Sequence, residues 1–336
     1  MNKTIGIFGG GQLGRMMAQA ALPLNIQCSF FEAETDCPAA ILGPVFSSKD
    51  PQALQAFIAS AEVFSLEFEN TPVAYVDVLT QTKTLHPPRL ALATAQNRLA
   101  EKGLFDELAI PVAPYRAVDS LESLKQAVAE LGLPIVLKTV TGGYDGKGQF
   151  VLRSEDQIDT AWAELGPAKS LIAESFVKFS REVSIIAVRG QDGDVKTWAL
   201  AENHHHNGIL SHSIVPAPNS TDLQPVAQDY ITRLLHHLNY VGVLTLELFV
   251  TEQGLYANEM ACRVHNSGHW SIAGAICSQF ENHIRAVAGL PLGATDVVRP
   301  TVMVNIIGQH PKSEDVLALK GAHLHLYNKS ERAGRK

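Results

Sequence analysis

The first 90 residues alternate between short apolar runs typical of β-strands and longer segments with helical spacing. Lys3–Phe8, Ile26–Phe31 and Val63–Leu66 are rich in β-branched and aromatic residues, whereas Gln12–Leu22 repeats its apolar residues with helical periodicity. Strands that alternate with helices pair in parallel, because each helix carries the chain back across the sheet. The chain therefore begins with an α/β, Rossmann-like domain on a doubly wound sheet, and the break at Pro87-Pro88 places its boundary near residue 95.

A glycine-rich segment joins two predicted strands further along the chain. The strand Ile135–Val140 runs into TGGYDGKG (141–148), and Gln149–Arg153 returns as a strand. Such a hairpin loop can wrap backbone N–H groups around phosphate oxygens, and Lys138 and Lys147 add positive charge. The spacing differs from a Walker A loop, which runs into a helix. We favour a flap that closes over a nucleotide; the alternative is an ordinary glycine-rich hairpin.

Longer strands follow from about residue 182. They are predicted at Lys196–Glu202, Ile209–Val215, Gly242–Val250 and Leu255–Met260, with late strands at Val302–Ile307 and His323–Tyr327. Consecutive strands favour a mostly antiparallel sheet. We expect four parts: residues 1–95, a small subdomain at 96–180 that begins within the predicted helix Ala91–Leu108, a main subdomain at 181–295, and a C-terminal β-rich segment at 296–336.

The turn after the first strand reads GGGQLG (9–14) and fits G-x-G-x-x-G. Glu32 ends the second strand, where an acid that binds a nucleotide ribose stands in dinucleotide-binding proteins. The same glycines also suit any tight strand-to-helix turn, and a helix N-terminus can hold a phosphate or carboxylate of another ligand. This turn alone leaves both interpretations open.

Two glutamates lie in apolar strand contexts on either side of a predicted turn at Gly254. Glu247 lies in LTLELFV and Glu259 in LYANEMA, with Asn258 beside it. Carboxylates in apolar strands are costly unless they are paired or bind a metal, and two carboxylates together with nucleotide phosphates suit Mg²⁺. The alternative is a buried glutamate paired with a cation such as Arg263. For the pair we favour the metal.

A polar cluster, RVHNSGHW (263–270), follows this hairpin directly. Arg263 can bind a carboxylate or phosphate with two hydrogen bonds, and His265 and Asn266 offer directional hydrogen bonds or proton transfer. The cluster indicates a substrate loop. The run His204-His205-His206 does not predict a transition-metal site, because consecutive strand residues point to alternate faces.

Composition narrows the classes of partner. The chain has 336 residues with 27 Lys and Arg against 34 Asp and Glu, a net charge of −7, which argues against broad nucleic-acid binding. Four cysteines without a close-spaced pair favour free thiols over a disulfide framework. Neither a secretory signal nor an apolar run of the ~20 residues that a membrane span needs is evident, so we expect a cytoplasmic protein without membrane contact.

The order of these motifs resembles the ATP-grasp superfamily. GGGQLGR, KTVTGGYDGKGQ, LELFV and NEMACRVHNSGHW are most similar to the 5-(carboxyamino)imidazole ribonucleotide synthases. The resemblance implies an ATP-grasp fold with an N-terminal pre-ATP-grasp domain and a small C-terminal β-rich domain. It implies a purine-biosynthetic ligase that uses ATP to join bicarbonate, through carboxyphosphate, to the amine of 5-aminoimidazole ribonucleotide. It also implies two Mg²⁺ ions, for which Mn²⁺ could substitute, and a homodimer.

The resemblance also assigns residues by position. It implies ATP contacts at Arg98, Lys138, Gly143, Tyr144, Asp145, Gly146, Lys147, Gly148, Gln149, Glu174, Val177, Glu182, His205, Asn258 and Glu259. It implies Mg²⁺ ligands at Glu247 and Glu259. Around bicarbonate and the reacting amine it implies Arg263, His265 and Asn266. Contacts with the ribonucleotide are implied for Gln12, Leu13, Glu67, Glu69, Tyr144, Asp145, Arg332, Arg335 and Lys336. Members of the family continue beyond a GRK segment, so we expect the C-terminal part to be truncated here.

Three other hypotheses stay open at this stage. An NAD-dependent oxidoreductase would explain the GGGQLG turn but not the second half of the chain. A related ATP-grasp enzyme could use formate or another amine, although RVHNSGHW favours bicarbonate. A nucleotide-binding scaffold without turnover is the third alternative.

Overall fold

The computed structural model describes residues 3–142, 148–166 and 170–328. Eight of the predicted site residues lie outside this part of the chain: Gly143, Tyr144, Asp145, Gly146, Lys147, Arg332, Arg335 and Lys336.

The N-terminal domain is the predicted parallel sheet. Its strands are β1 (Thr4–Phe8), β2 (Gln27–Glu32), β3 (Val45–Ser47), β4 (Val63–Leu66) and β5 (Thr84–Leu85), in the order β3-β2-β1-β4-β5. All pairs are parallel. The connecting helices are α1 (Gln12–Ala21), α2 (Ala53–Ala59) and α3 (Val73–Leu79). Since β1 lies between β2 and β4, the glycine turn that follows β1 stands at the carboxyl edge of the sheet's centre.

Two helices, α4 (Arg89–Ala95) and α5 (Arg98–Glu107), lead out of this domain. The prediction of one helix over Ala91–Leu108 was therefore wrong. The break occurs at Asn97, which has extended backbone angles and accepts hydrogen bonds from the amides of Leu99 and Ala100. An asparagine in this conformation caps the start of a new helix.

The small sheet carries the glycine-rich segment. Its strands are β6 (Tyr115–Val118), β7 (Ile135–Thr139), β8 (Gln149–Leu152) and β9 (Leu171–Ser175), in the order β6-β9-β7-β8, with helices α6 (Leu121–Leu131) and α7 (Ile158–Leu165). β7 and β8 are antiparallel neighbours. The predicted pairing of these two strands as a hairpin is confirmed.

The large sheet has seven strands. They are β10 (Arg181–Arg189), β11 (Val195–Thr197), β12 (Ala201–His206), β13 (Ile209–Val215), β14 (Gly242–Thr251), β15 (Gly254–Ala261) and β16 (Thr301–Val304). The order is β15-β14-β10-β12-β13-β16, with β11 paired to β10. The single strand predicted over Lys196–Glu202 is divided between β11 and β12, and His323–Tyr327 is not a strand. The remaining helices are α8 (Leu223–His237), α9 (Ser271–Gly274), α10 (Gln279–Ala288) and α11 (Ser313–Leu317).

A buried histidine links the N-terminal sheet to the large sheet. His283 on α10 lies 2.7 Å from the hydroxyl of Ser65 on β4, and its Nδ1 accepts a hydrogen bond from the amide of Val243 on β14. Burial lowers the pKa of His283 to about 3, so the ring is neutral at physiological pH. The N-terminal sheet is thereby held against the large sheet.

Candidate active site

A cleft of about 670 Å³ collects side chains from distant parts of the chain. The predicted residues that line it are Glu69, Arg98, Lys138, Gln149, Glu182, His205, Glu247, Asn258, Glu259, Arg263, His265 and Asn266. A second cavity, of about 490 Å³, lies beside β16 and is lined mostly by apolar side chains. Because the titratable groups converge on the first cavity, we regard that cleft as the candidate active site.

One wall of the cleft is positively charged. Lys138 on β7 lies 3.1 Å from Glu174 on β9, and Arg98 at the start of α5 donates a 3.0 Å hydrogen bond to the carbonyl of Thr139. Burial favours the neutral form of Glu174, but the ammonium groups of Lys138 and Lys102 outweigh it and lower the pKa of this carboxyl. The wall therefore carries fixed charges at the base of the glycine hairpin.

Four other predicted nucleotide and substrate residues contribute differently. Glu174 is buried behind Lys138 and Val177 is half-buried, so neither lines the cleft. Gly148 closes the hairpin, because its carbonyl accepts a hydrogen bond from the amide of Thr139. Leu13 packs against the apolar core.

His205 and Glu182 lie together in the part of the cleft that the large sheet contributes. His205 Nδ1 is 3.2 Å from Glu182 Oε1, and both line the cleft. His204 instead stacks on His212 and contacts Glu202, with its Nε2 3.0 Å from Glu202 Oε1. The neighbouring histidines thus face different partners, as their alternation along a strand requires.

The carboxylate hairpin places Glu247 on β14 directly opposite Glu259 on β15. Glu259 is exposed to the cleft, and protein atoms surround its carboxylate. This partial loss of hydration and the charge of Glu247 raise the pKa of Glu259. His265 Nε2 lies 3.2 Å from Glu247 Oε1. Two apposed carboxylates that resist ionisation together are the donor set expected to favour a cation between them.

Arg263 does not neutralise either of these carboxylates. It forms an ion pair with Glu69 and donates a 3.1 Å hydrogen bond to the carbonyl of Val264. Burial opposes both charges, but the attraction between them lowers the pKa of Glu69 and raises that of Arg263. The alternative in which Arg263 balances Glu247 or Glu259 is therefore not what the structure contains.

The loop after Arg263 is held by a residue that sequence reasoning missed. The buried side chain of Gln279 accepts a 2.9 Å hydrogen bond from the amide of His265 and donates a 2.6 Å hydrogen bond to its carbonyl. Asn266, the next residue, has buried amide nitrogen and oxygen atoms without a hydrogen-bond partner. Its amide therefore lies at the cleft wall without a hydrogen-bond partner, which is typical of a group that meets a ligand.

Gln12 and His269 interact at the edge of the second cavity. His269 Nδ1 lies 3.1 Å from the carbonyl of His265, and Nε2 lies 3.2 Å from the Gln12 side-chain nitrogen. Burial lowers the pKa of His269 to about 3, so the neutral ring donates through Nδ1 and accepts through Nε2. Gln12 borders the second cavity and not the cleft.

The GGGQLG turn is filled by the protein's own carboxylates. Glu67 accepts a 2.6 Å hydrogen bond from the amide of Gly14, and Glu32 accepts one of 3.1 Å from the amide of Gly10. A Cβ atom at Gly11 or Gly14 would overlap the Glu67 carboxylate. The glycines therefore admit Glu67, and amides that would bind a dinucleotide pyrophosphate are already used.

The described part of the chain lacks two kinds of feature. Across residues 3–142, 148–166 and 170–328, no three His, Cys, Asp or Glu residues are grouped as a metal site would require. Within that same part of the chain, none of the helices has the length and apolar character to cross a membrane.

Comparisons with known proteins agree with this arrangement. The ATP-grasp domain family matches residues 103–280, the ribonucleotide synthetase preATP-grasp domain matches 1–96, and the phosphoribosylaminoimidazole carboxylase C-terminal domain matches 301–336. The N5-carboxyaminoimidazole ribonucleotide synthase of Pseudomonas aeruginosa is 46% identical over 334 residues, covering 99% of this chain and 92% of that protein.

Solved structures agree as well. The crystal structure of N5-carboxyaminoimidazole ribonucleotide synthetase from Thermus thermophilus superposes with a TM-score of 0.94 at 45% identity, covering 99% of this chain and 91% of that one. The Aspergillus clavatus synthase in complex with ADP and 5-aminoimidazole ribonucleotide superposes with a TM-score of 0.92 at 29% identity, covering 100% and 92%. With the cleft, the carboxylate hairpin and near-complete coverage in agreement, the chain belongs to the N5-carboxyaminoimidazole ribonucleotide synthase family of ATP-grasp ligases.

Proposed function

We propose that this protein joins bicarbonate to the exocyclic amine of 5-aminoimidazole ribonucleotide at the expense of ATP, in purine biosynthesis. The observation that carries the proposal is the single cleft in which Lys138, the pair Glu247 and Glu259, and the unsatisfied amide of Asn266 meet. The positively charged wall suits the phosphates of a nucleotide, and the carboxylate pair suits a divalent cation. The unsatisfied amide suits a small oxyanion. The P. aeruginosa relative and the ADP and ribonucleotide complex from A. clavatus support the substrates.

The nucleotide half of the site is built from charge and from the glycine hairpin. Arg98 and Lys138 face the cleft beside the hairpin, where they can neutralise phosphate oxygens. Glu182 and His205 are in contact on the neighbouring strands β10 and β12. Both are suited to hydrogen bonds with ribose hydroxyls. The residues of the hairpin tip, Gly143 to Lys147, belong to the proposal through the family resemblance alone.

Glu247 and Glu259 are proposed to hold Mg²⁺. Mg²⁺ is commonly bound by one or two carboxylates plus substrate phosphates, so the apposed pair of glutamates fits this ion better than a transition metal. When bound, the ion would neutralise charge on the phosphates during transfer. Two ions are expected from the family, and Mn²⁺ could replace them.

The bicarbonate half is proposed around the loop that follows β15. Asn266 can donate to one bicarbonate oxygen, and Arg263, held in position by Glu69, supplies a fixed positive charge. His265, between Glu247 and Ser267, is placed to accept or deliver a proton. We propose that the amine meets the activated carboxyl group among these side chains.

The proposed reaction has two steps. A bicarbonate oxygen attacks the γ-phosphorus of ATP, ADP leaves, and carboxyphosphate forms. The exocyclic nitrogen then bonds to the carboxyl carbon, directly or through released CO₂, phosphate departs, and the nitrogen loses one proton. Exclusion of water from the cleft is needed throughout, because carboxyphosphate would otherwise hydrolyse.

The deciding experiment is ADP release measured with ATP, bicarbonate or the ribonucleotide omitted in turn. We expect turnover to require all three, and formate in place of bicarbonate to give none. ADP release that the ribonucleotide does not stimulate would exclude this function. Activity with formate would instead assign a related ATP-grasp reaction.

Three further features are proposed from the family. We infer a homodimer, which sedimentation velocity would test, and a cytoplasmic location, which fractionation would test. We also propose the division into residues 1–95, 96–180, 181–295 and 296–336. The preATP-grasp and ATP-grasp family matches support the first boundary, and the change of sheet between β9 and β10 supports the second.

A further inference from the structure

The carboxylate hairpin contains a register change. On the turn side Leu248 pairs with Ala257, whereas at the next step Glu247 pairs with Glu259, so Asn258 is an extra residue in β15. This is a β-bulge, a device that redirects a side chain. Strand side chains alternate between faces, so an unbroken register would set Glu247 opposite Asn258 and turn Glu259 to the other face. The bulge is therefore what brings the two carboxylates together.

Two adjacent residues of α5 form hydrogen bonds with the backbone on both sides of Glu259. Lys102 Nζ donates a 2.9 Å hydrogen bond to the carbonyl of Asn258. Glu101 Oε1 accepts a 2.6 Å hydrogen bond from the amide of Met260. The two side chains are 2% and 3% exposed. Backbone groups freed by the irregular pairing are thus satisfied by side chains more than 150 residues away in the chain.

Burying this lysine and this glutamate is expensive unless their hydrogen bonds are made. Helix α5 is itself anchored at its start, where the Arg98 amide donates a 3.0 Å hydrogen bond to the carbonyl of Val140. The helix therefore connects the base of the glycine hairpin to the bulge. A purely apolar contact would pack α5 against β15 but would not select the bulged register.

We propose that Glu101 and Lys102 are positioning residues that hold the bulge at Asn258 and so keep Glu247 and Glu259 on one face for a divalent cation. The inference rests on the proposed function in that the carboxylate pair is taken to bind the metal. Glu101 lines the cleft and Lys102 does not, and the role proposed for both is to hold the backbone on either side of Glu259.

The test compares three single variants with the wild type: Lys102→Met, Glu101→Gln and Glu101→Leu. Glutamine keeps an oxygen that can accept from Met260, and leucine does not. Lys83→Met is the matched control, since Lys83 donates a 2.8 Å hydrogen bond to the carbonyl of Ala61 far from the cleft. Two readouts are needed: Mn²⁺ titration with saturating ADP, followed by electron paramagnetic resonance, and hydrogen exchange of residues 254–261.

We expect Lys102→Met and Glu101→Leu to weaken Mn²⁺ binding about 10- to 100-fold and to accelerate exchange in 254–261 more than in the central strand β10. Glu101→Gln should stay within about threefold of the wild type, and Lys83→Met should be unchanged. Folded Lys102→Met with wild-type Mn²⁺ affinity would overturn the proposal. If Lys102→Met does not fold, the contrast between Glu101→Gln and Glu101→Leu decides by the same criterion.

A Glu259→Gln variant separates the two proposals. If it binds Mn²⁺ as the wild type does, the metal assignment under the proposed function is wrong. If it loses Mn²⁺ while Lys102→Met and Glu101→Leu retain it, the metal assignment stands and the positioning proposal fails.

Discussion

The carboxylate of Glu67 accepts a 2.6 Å hydrogen bond from the amide of Gly14. A side chain of the protein itself therefore occupies the start of helix α1. Burial is the main reason that the pKa of Glu67 rises from 4.5 to about 7; the amide of Gly14 opposes the rise, and the charge of Glu32 adds to it. An acid with this pKa is neutral in part of the folded population at physiological pH. Its ionisation therefore changes the stability of the protein.

The first prediction concerns pH. Because the folded-state pKa of Glu67 is raised, its stabilising contribution is complete below about pH 4.5 and is lost as the pH rises through about 7. Glu67→Gln should reduce the loss of unfolding free energy between pH 5.5 and pH 8 by about 1–3 kcal/mol. Urea unfolding at both pH values measures this. Glu62→Gln, which removes an exposed carboxylate bonded to the Thr4 amide, is the control; equal pH dependence in Glu67→Gln and wild type would contradict the prediction.

The second prediction tests the carboxylate pair. Glu259→Gln should lower ADP release by about 100-fold or more, since one of two apposed metal ligands is weakened. Relief of repulsion from Glu247 should leave the melting temperature equal to or above that of the wild type. Glu252→Gln, in the exposed turn of the same hairpin, is expected to keep full activity. Retained turnover in Glu259→Gln would remove the metal role from this residue.

The third prediction concerns Lys138. Lys138→Met should raise the KM for ATP about tenfold or more, because a charge-assisted contact to a phosphate is lost. The pKa of Glu174 should rise in the same variant, since Lys138 is the largest of the three charges that lower it. Steady-state kinetics at several ATP concentrations give KM. Lys125→Met, on the exposed side of α6, should not change it; an unaltered KM in Lys138→Met would exclude a direct role in ATP binding.

The fourth prediction concerns Gln279. Gln279→Leu leaves the amide of His265 without its partner and removes one donor from its carbonyl, which keeps the contact with His269 Nδ1, so we expect a loss of about 2–4 kcal/mol in unfolding free energy. Turnover of the folded fraction should also fall, because His265 and Asn266 lose their support. Gln191→Leu removes an amide that donates to the carbonyls of Ala286 and Val287 on the surface, and it should cost less than about 1 kcal/mol. Similar losses in both variants would mean that Gln279 has no special role.

Local sequence patterns were sufficient to predict the strands that carry the site. The parallel N-terminal sheet, the β7–β8 hairpin and the β14–β15 hairpin were predictable, because alternation and turn glycines act within a few residues. The motifs were specific enough to indicate the family, which the comparisons show. The division of the predicted helix at Asn97 was missed although its signal is local: asparagine favours a helix start, and helical periodicity alone does not register it.

What the sequence determined by itself was therefore the order and type of the elements, the family, and which chemical groups were available. The tertiary structure alone decided how these groups are used: Glu67 fills the glycine turn, Arg263 pairs with Glu69, and Glu101 and Lys102 hold the Asn258 bulge. The two members of each pairing are 53 to 194 positions apart in the chain. Burial makes such long-range partners necessary, since a charged or polar group without water must find one, and only the packed fold brings it within reach.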